Sequence, residues 1–214
     1  KAELTELYQL YGQPFRWVWG GVNRGFSGAN NLGVSQARSS RLLFMNSDVF
    51  PQGPGWLAQM VEALDAHPSL GMVTPRLLFA NGGIQHVGME VRRLESFDIW
   101  INHHPNLGLD PEFDPRPNLG VVPLATGACM LLRRDELERL GGWDAGYLIG
   151  DFEDSDLCFT YRNAGFDIGY LPTVSLTHLE RQSFTQIGKD SFKQRVMIAN
   201  SVRHASRWPH FLHD

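Results

Sequence analysis

RLLFMNSDVFP, residues 41–51, is a compact apolar run, Arg41 to Met45, that ends on Asn46-Ser47-Asp48. The run reads as a buried strand, and Pro51 and Pro54 place a loop after it. In open α/β sheets, ligands collect outside the carboxyl ends of the strands. A carboxylate there suits a hard divalent cation, which takes oxygen ligands and often bridges to a diphosphate. A loop Asp that closes an Asx-turn or caps the next helix has the same local sequence, so Asp48 alone decides nothing.

Working outward, helix-like and strand-like segments alternate, the pattern of an α/β domain. Upstream, residues 1–11 read as a helix with Leu4, Leu7, Tyr8 and Tyr11 on one face, and Phe15 to Trp19 as a short aromatic strand. A glycine-rich turn leads to a small-residue helix, Ser27 to Arg38. Downstream come a helix, Gly55 to Ala66, and a strand, Gly71 to Thr74. Residues 81–120 form a long, partly irregular excursion rich in Gly, Pro, Asn and His, with strand character only at Ile84 to Val91. An excursion of that length is usually functional. Then follow a strand, Cys129 to Arg133, a short helix, Arg134 to Leu140, and a longer helix, Glu153 to Ala164, stopped by Gly165. Strands at Asp167 to Leu171 and Val174 to Thr177 precede a basic helix at 187–207.

Composition narrows the function. The 214 residues are 43% hydrophobic and 20% charged, which excludes a disordered chain. A net charge of −4 argues against bulk attraction to nucleic acid. Cys129 and Cys158 are too few for a disulfide scaffold and read as buried thiols of a reducing compartment. The longest apolar run, Val121 to Leu132, is interrupted by Pro123, Thr126 and Gly127, well short of the ~20 residues that span a bilayer. The expectation is a soluble cytoplasmic protein, at most peripheral to the inner membrane face through its partners.

Three further features carry potential chemistry. Asp151, Glu153, Asp154 and Asp156 crowd GDFEDSDLCF at a helix start, where acids cap a helix but where one turned to a cleft can also deprotonate a hydroxyl. Helical spacing sends Glu153 and Asp156 one way and Asp154 another. His178 closes a strand; it is either a structural histidine or a metal ligand that would make a sparse site with Asp48. NRGFSGANNLG, residues 23–33, reads as a phosphate cradle or a simple turn into a helix, and its Arg24 could pair with phosphate.

Taken in order, NRGFSGANNLGVSQA, RLLFMNSDVFP, TGACMLLRRDELERLGGWDAGY, EDSDLCFTYRNAGFDIGYLP and HLERQS, from about residue 17 to 184, resemble the inverting glycosyltransferases of family 2 and their A-type fold. The rhamnosyltransferase-like bacterial branch is the nearest likeness. The resemblance implies an α/β domain over residues 1–184, with a mixed, mostly parallel sheet flanked by helices, and a helical extension at 185–214. It implies transfer of a sugar from a nucleotide diphosphate sugar to a glycan or lipid-linked acceptor hydroxyl, with Mn²⁺ or Mg²⁺ as cofactor. By position, Asp48 and His178 would meet the metal, and Asp154 would be the catalytic base. Glu153 and Trp143 would serve the acceptor; Arg24, Asn30, Asn46, Gly127 and Ala128 would serve the donor. Trp143 and Tyr147 would stack on sugar rings or, equally, pack in the core.

The family's first strands, which hold the nucleotide base, have no counterpart after Lys1. The expectation is therefore a domain without its base-binding wall, poor as a catalyst alone and prone to self-association through a sheet edge near residues 15–19. A non-catalytic scaffold module is the rival reading. A metal-dependent phosphohydrolase fits less well, because Asp48 lacks further metal carboxylates nearby.

Overall fold

The computed structural model describes Glu6, residues 17–179 and residues 190–212. Most of the expected helix at 1–11, and Phe15, lie outside the described residues.

Nine strands and five α-helices are described. In chain order they are α1 (Gly25–Gln36), β1 (Arg41–Met45), β2 (Val49–Pro51), α2 (Trp56–Ala66), β3 (Leu70–Leu78), β4 (Ile84–His86), β5 (Glu90–Leu94), β6 (Ile99–His103), β7 (Gly120–Val122), β8 (Cys129–Arg133), α3 (Arg134–Arg139), α4 (Glu153–Asn163), β9 (Asp167–His178) and α5 (Asp190–Arg207). The main sheet runs β1-β8-β3-β9-β2, with β4 added to β3 and β7 to β9. Along β3 every residue but Arg76 is buried, because both faces of the sheet are covered. Met60 and Leu64 of α2 pack with Leu70, Val73, Leu131 and Leu176 on one face. Leu157 and Tyr161 of α4 pack with Met72, Met130, Ile168 and Tyr170 on the other. Burying each such side chain contributes roughly 1.5–3 kcal/mol.

The α/β class and the mixed, helix-flanked sheet agree with the sequence. The sheet is not mostly parallel over these strands: β3 and β9 are parallel, and the other described pairs of the main sheet are antiparallel. A parallel pair requires a long crossover, whereas β4 returns from β3 through a tight turn and must run back. The strands expected at 167–171 and 174–177 are one strand. Its register against β3 jumps between Leu171 and Ser175, so Pro172 sits in a bulge and does not end the pairing.

Trp17 to Trp19 are exposed and outside any strand, contrary to expectation. Among the described residues β1 and β2 are the terminal strands of the main sheet's path. The 81–120 excursion is more regular than its composition implies, for β5 and β6 form a hairpin that packs on α5. The Ser201 hydroxyl of α5 donates to the Trp100 carbonyl at 2.7 Å. The C-terminal segment is no appendage, since Trp208 and Leu212 belong to the core around α4. Cys129 and Cys158 are buried free thiols, as expected. Among the described residues no helix is long and apolar enough to cross a membrane.

Candidate active site

Two strand ends meet at the first half of the site. Val49 pairs with His178, and Leu179 N–H donates to the Asp48 carbonyl at 3.0 Å, so the ladder itself sets Asp48 beside His178. His178 Nε2 lies 3.3 Å from Asp48 Oδ1 and 3.5 Å from Asn46 Nδ2. Behind the ring, Gln85 Oε1 accepts the Nδ1–H at 2.6 Å. An amide oxygen only accepts, so Nδ1 carries the proton of the neutral ring, and in that form the Nε2 lone pair faces the carboxylate.

Two electron-rich atoms facing each other fit a cation. Their spacing matches neighbouring donors of one small ion, ~3 Å for bonds of ~2.1 Å, and an oxygen-plus-imidazole set suits Mn²⁺ or Mg²⁺. Among the described residues no group of three or more His, Cys, Asp or Glu side chains could hold a metal. Asp48 and His178 would supply two donors to such an ion.

The second half lies at the start of α4. Asp154 Oδ2 accepts from Gly127 N–H at 3.0 Å, and Oδ1 from Ser155 N–H at 2.8 Å. The one-residue step to Ala128 joins the halves, because Asn46 N–H donates to the Ala128 carbonyl at 2.9 Å. Gly127 is closely packed: a Cβ there would stand 3.0 Å from the Phe26 ring and 3.4 Å from Asp154 Cβ, so the ring would have to give by a few tenths of an ångström. Burial pushes the Asp154 carboxyl above the usual range, and the amide bonds partly offset this. Glu153 is buried, and its Oε2 has no hydrogen-bond partner among the described residues. Burial, together with the neighbouring Asp154 charge, holds Glu153 well above the ordinary value.

The chain reaches α4 through a strained turn. Ile149, Asp151 and Phe152 all have left-handed backbones, with φ of 62°, 86° and 74°. Such conformations cost non-glycine residues of order 1–3 kcal/mol each and persist only where surroundings impose them. Phe26 N–H holds the Ile149 carbonyl at 2.7 Å. Asn200 of α5 holds the rest: its Nδ2 lies 3.1, 3.0 and 3.1 Å from the carbonyls of Leu148, Gly150 and Asp151, and its Oδ1 accepts from Leu148 N–H at 2.9 Å.

The remaining expected residues divide. Asn46, Asp48, Gly127, Ala128, Asp154 and His178 are linked in one place. Trp143 is not open to an acceptor: it is 2% exposed and packs edge-on against Phe26 and Phe44 at 5.2 and 5.1 Å. Tyr147 is buried as well, its hydroxyl donating to Asp156 at 2.9 Å. Arg24 donates to the Gly20 carbonyl and lines a cavity of about 770 Å³ with Trp17, Trp19, Val22 and Leu32, whose lining includes neither Asp48, His178 nor Asp154. Asn30 has a buried Nδ2 without a partner among the described residues.

Sequence reading missed Gln85, Asn200 and Asn31. Asn31 brackets Trp143 by accepting from its N–H at 3.0 Å and donating to its carbonyl at 2.8 Å. An Asn inside a helix is disfavoured, and that cost was the available signal.

Residues 20–196 match the family described as glycosyltransferase like family 2. The chain is 31% identical over 184 residues to an uncharacterized protein, y4gI, of Sinorhizobium fredii, covering 85% of this chain and 20% of that one. It is 30% identical over 156 residues to the O-antigen biosynthesis protein RfbC of Myxococcus xanthus, covering 72% and 12%. It is 27% identical to the pre-mycofactocin glycosyltransferase of Mycobacterium tuberculosis, covering 86% and 37%. The chain thus spans well under half the length of each. Among solved structures, GalNAc-T7 with UDP, GalNAc and Mn²⁺ superposes with a TM-score of 0.72 at 17% identity, over 97% of this chain and 39% of that one. That likeness speaks to the fold alone.

Proposed function

The chain belongs to glycosyltransferase like family 2, and we propose that it transfers a sugar from a nucleotide diphosphate sugar to an acceptor hydroxyl with inversion of configuration. The observation that carries this reading is the pairing of two unlike groups through one backbone step. An incomplete metal shell, Asp48 and His178, stands on one side of Gly127-Ala128, and a raised carboxyl, Asp154, on the other.

In this reading Asp154 takes the proton of the acceptor hydroxyl, and the freed oxygen attacks the anomeric carbon opposite the diphosphate. A base with a raised pKa holds the proton better at neutral pH. Gly127 N–H and Ser155 N–H orient the carboxylate toward its work, and the left-handed entry to α4 fixes where it starts. Asp48 and His178 would hold Mn²⁺ or Mg²⁺, which when bound neutralises charge on the departing diphosphate. Gln85 keeps the His178 ring in the ligating tautomer. Asn46 lies within reach of the same ligand. The 2% exposure of Trp143 removes it from the acceptor's side. The acceptor is a glycan or lipid-linked hydroxyl, in keeping with a relative named for O-antigen biosynthesis.

Calorimetry tests the shared shell. Mn²⁺ should bind weakly alone and more tightly with UDP, GDP or dTDP present, because the diphosphate completes the coordination. Equal affinity with and without every nucleotide would overturn the reading. Asp154→Asn keeps the shape but cannot take a proton, and should lower transfer ~10²–10⁴-fold with nucleotide binding intact.

A further inference from the structure

The turn that delivers Asp154 holds itself in place poorly. Three of its residues have left-handed backbones, and none is glycine. Ile149 is β-branched, the residue class least suited to that region. What opposes the strain comes from far along the chain. Asn200 is 1% exposed and satisfies four backbone groups of residues 148–151 at 2.9–3.1 Å. Its two amide hydrogens serve three carbonyls while its oxygen takes an N–H, so every polar atom of the side chain is spent on this turn. The network also fixes the amide's orientation, because only the oxygen can accept from Leu148.

We propose that Asn200 is a positioning residue for Asp154: from the C-terminal helix it holds the 148–151 backbone in the left-handed path that sets the direction in which α4 begins. The inference rests on the reading of Asp154 as the base. It gives α5 a part in the chemistry, although α5 supplies no group to the reacting atoms. Asp48 and His178 are held separately by the β2–β9 ladder, so loosening the turn should spare them.

The test uses the full-length protein with Asn200→Ala, which removes all four bonds, and Asn200→Asp, which sets a carboxylate against three carbonyls. Turnover of UDP-, GDP- and dTDP-hexoses is scored as nucleoside diphosphate released. Both variants should lose about tenfold or more in kcat, since small misplacement of a catalytic group is costly. Affinity for Mn²⁺ with the matching nucleoside diphosphate should stay within about threefold of the parent. Amide hydrogen exchange, which needs no donor, should speed up at residues 150–156 and stay unchanged in β3 and β8. Adding Ile149→Gly to Asn200→Ala should restore part of kcat, because glycine adopts the left-handed turn without the clamp.

Parent-like kcat in Asn200→Ala would overturn the inference. So would faster exchange throughout β3 and β8 with an equal loss of nucleotide affinity and no recovery from Ile149→Gly, which marks a global structural role. If Asp154→Asn turns over normally, the base reading fails and this inference with it. If Asp154→Asn is inactive and Asn200→Ala is not impaired, the inference alone fails.

Discussion

The two halves of the site are held by different means. At the half proposed to hold the metal, Asp48 and His178 sit at the ends of paired strands, and the backbone ladder sets their distance. At the proposed base half, the segment from Asp144 to Asp156, which enters α4, is held by side chains of α5 and the turn after it. Arg203 pairs with Asp144, Asn200 with the 148–151 backbone, and Arg207 Nε and Trp208 Nε1 each donate to Asp156 Oδ1 at 2.7 Å. A ladder shares its load among many bonds, so no one side chain is decisive. A clamp of a few buried side chains concentrates it. Changes in the clamp should therefore unseat the base half and leave metal binding in place.

The largest effect is the loss of transfer in Asp154→Asn already described, which acts on the base half alone. Next is Asp156→Ala. Asp156 is 2% exposed and accepts from Tyr147, Arg207 and Trp208. Its removal leaves the buried Tyr147 hydroxyl and Trp208 N–H without their acceptor, while Arg207 keeps Asp144, and should cost about 2–4 kcal/mol in chemical denaturation. Mn²⁺ affinity of the folded fraction should be unchanged; an equal loss there would show that the halves are one cooperative unit.

Acid should loosen the same clamp. The His204 ring of α5 is fully buried near Tyr147, Phe152 and Phe159, and neither of its nitrogens has a partner among the described residues. Burial lowers its pKa to about 4 from 6.5, with Asp156 opposing the shift and Arg207 adding to it. Between those values the unfolded chain binds the proton and the native chain does not. Stability is then full above pH 6.5 and falls as pH drops toward 4, by about 3 kcal/mol from this group. Thermal melts across that range should show a steeper decline for the parent than for His204→Leu, and parallel curves would refute the assignment.

The same contrast explains what the sequence disclosed. The placement of Asp48 and His178 side by side was legible because Asp48 follows one apolar strand and His178 closes another, and a strand end is a place that a sequence marks. Asp154 was legible because four acids crowd one helix start. Asn200 was not, since an Asn in a basic amphipathic helix gives no sign of a partner some fifty residues earlier. Trp143 stood undecided for a related reason: the resemblance allows it a sugar ring or the core, and only the tertiary packing of Phe26 and Phe44 encloses it. The β5–β6 hairpin was obscured by Arg92, Arg93 and Glu95, charges that a two-stranded sheet on the surface tolerates.

The smallest expected effect tests the ladder half at a side-chain contact, the Gln85 bond to His178. Gln85 lies on β4, off the strands that carry the ligands, and touches the ring from behind. Replacing it with Leu keeps the bulk but removes the acceptor for Nδ1–H. The ring is then free to take the other tautomer, with a proton on the nitrogen that faces Asp48, and to rotate. Partners of this kind typically contribute 10–100-fold to metal affinity, which is about 1.4–2.7 kcal/mol. Calorimetry with Mn²⁺ and UDP should show a loss of that size in Gln85→Leu, with hydrogen exchange at 150–156 unchanged. Gln85→Glu should lose less, because a carboxylate still accepts the Nδ1–H. If both variants bind Mn²⁺ as the parent does, the ladder alone orients His178, and the contrast between a shared backbone and a single side chain is sharper than the Gln85 contact implies.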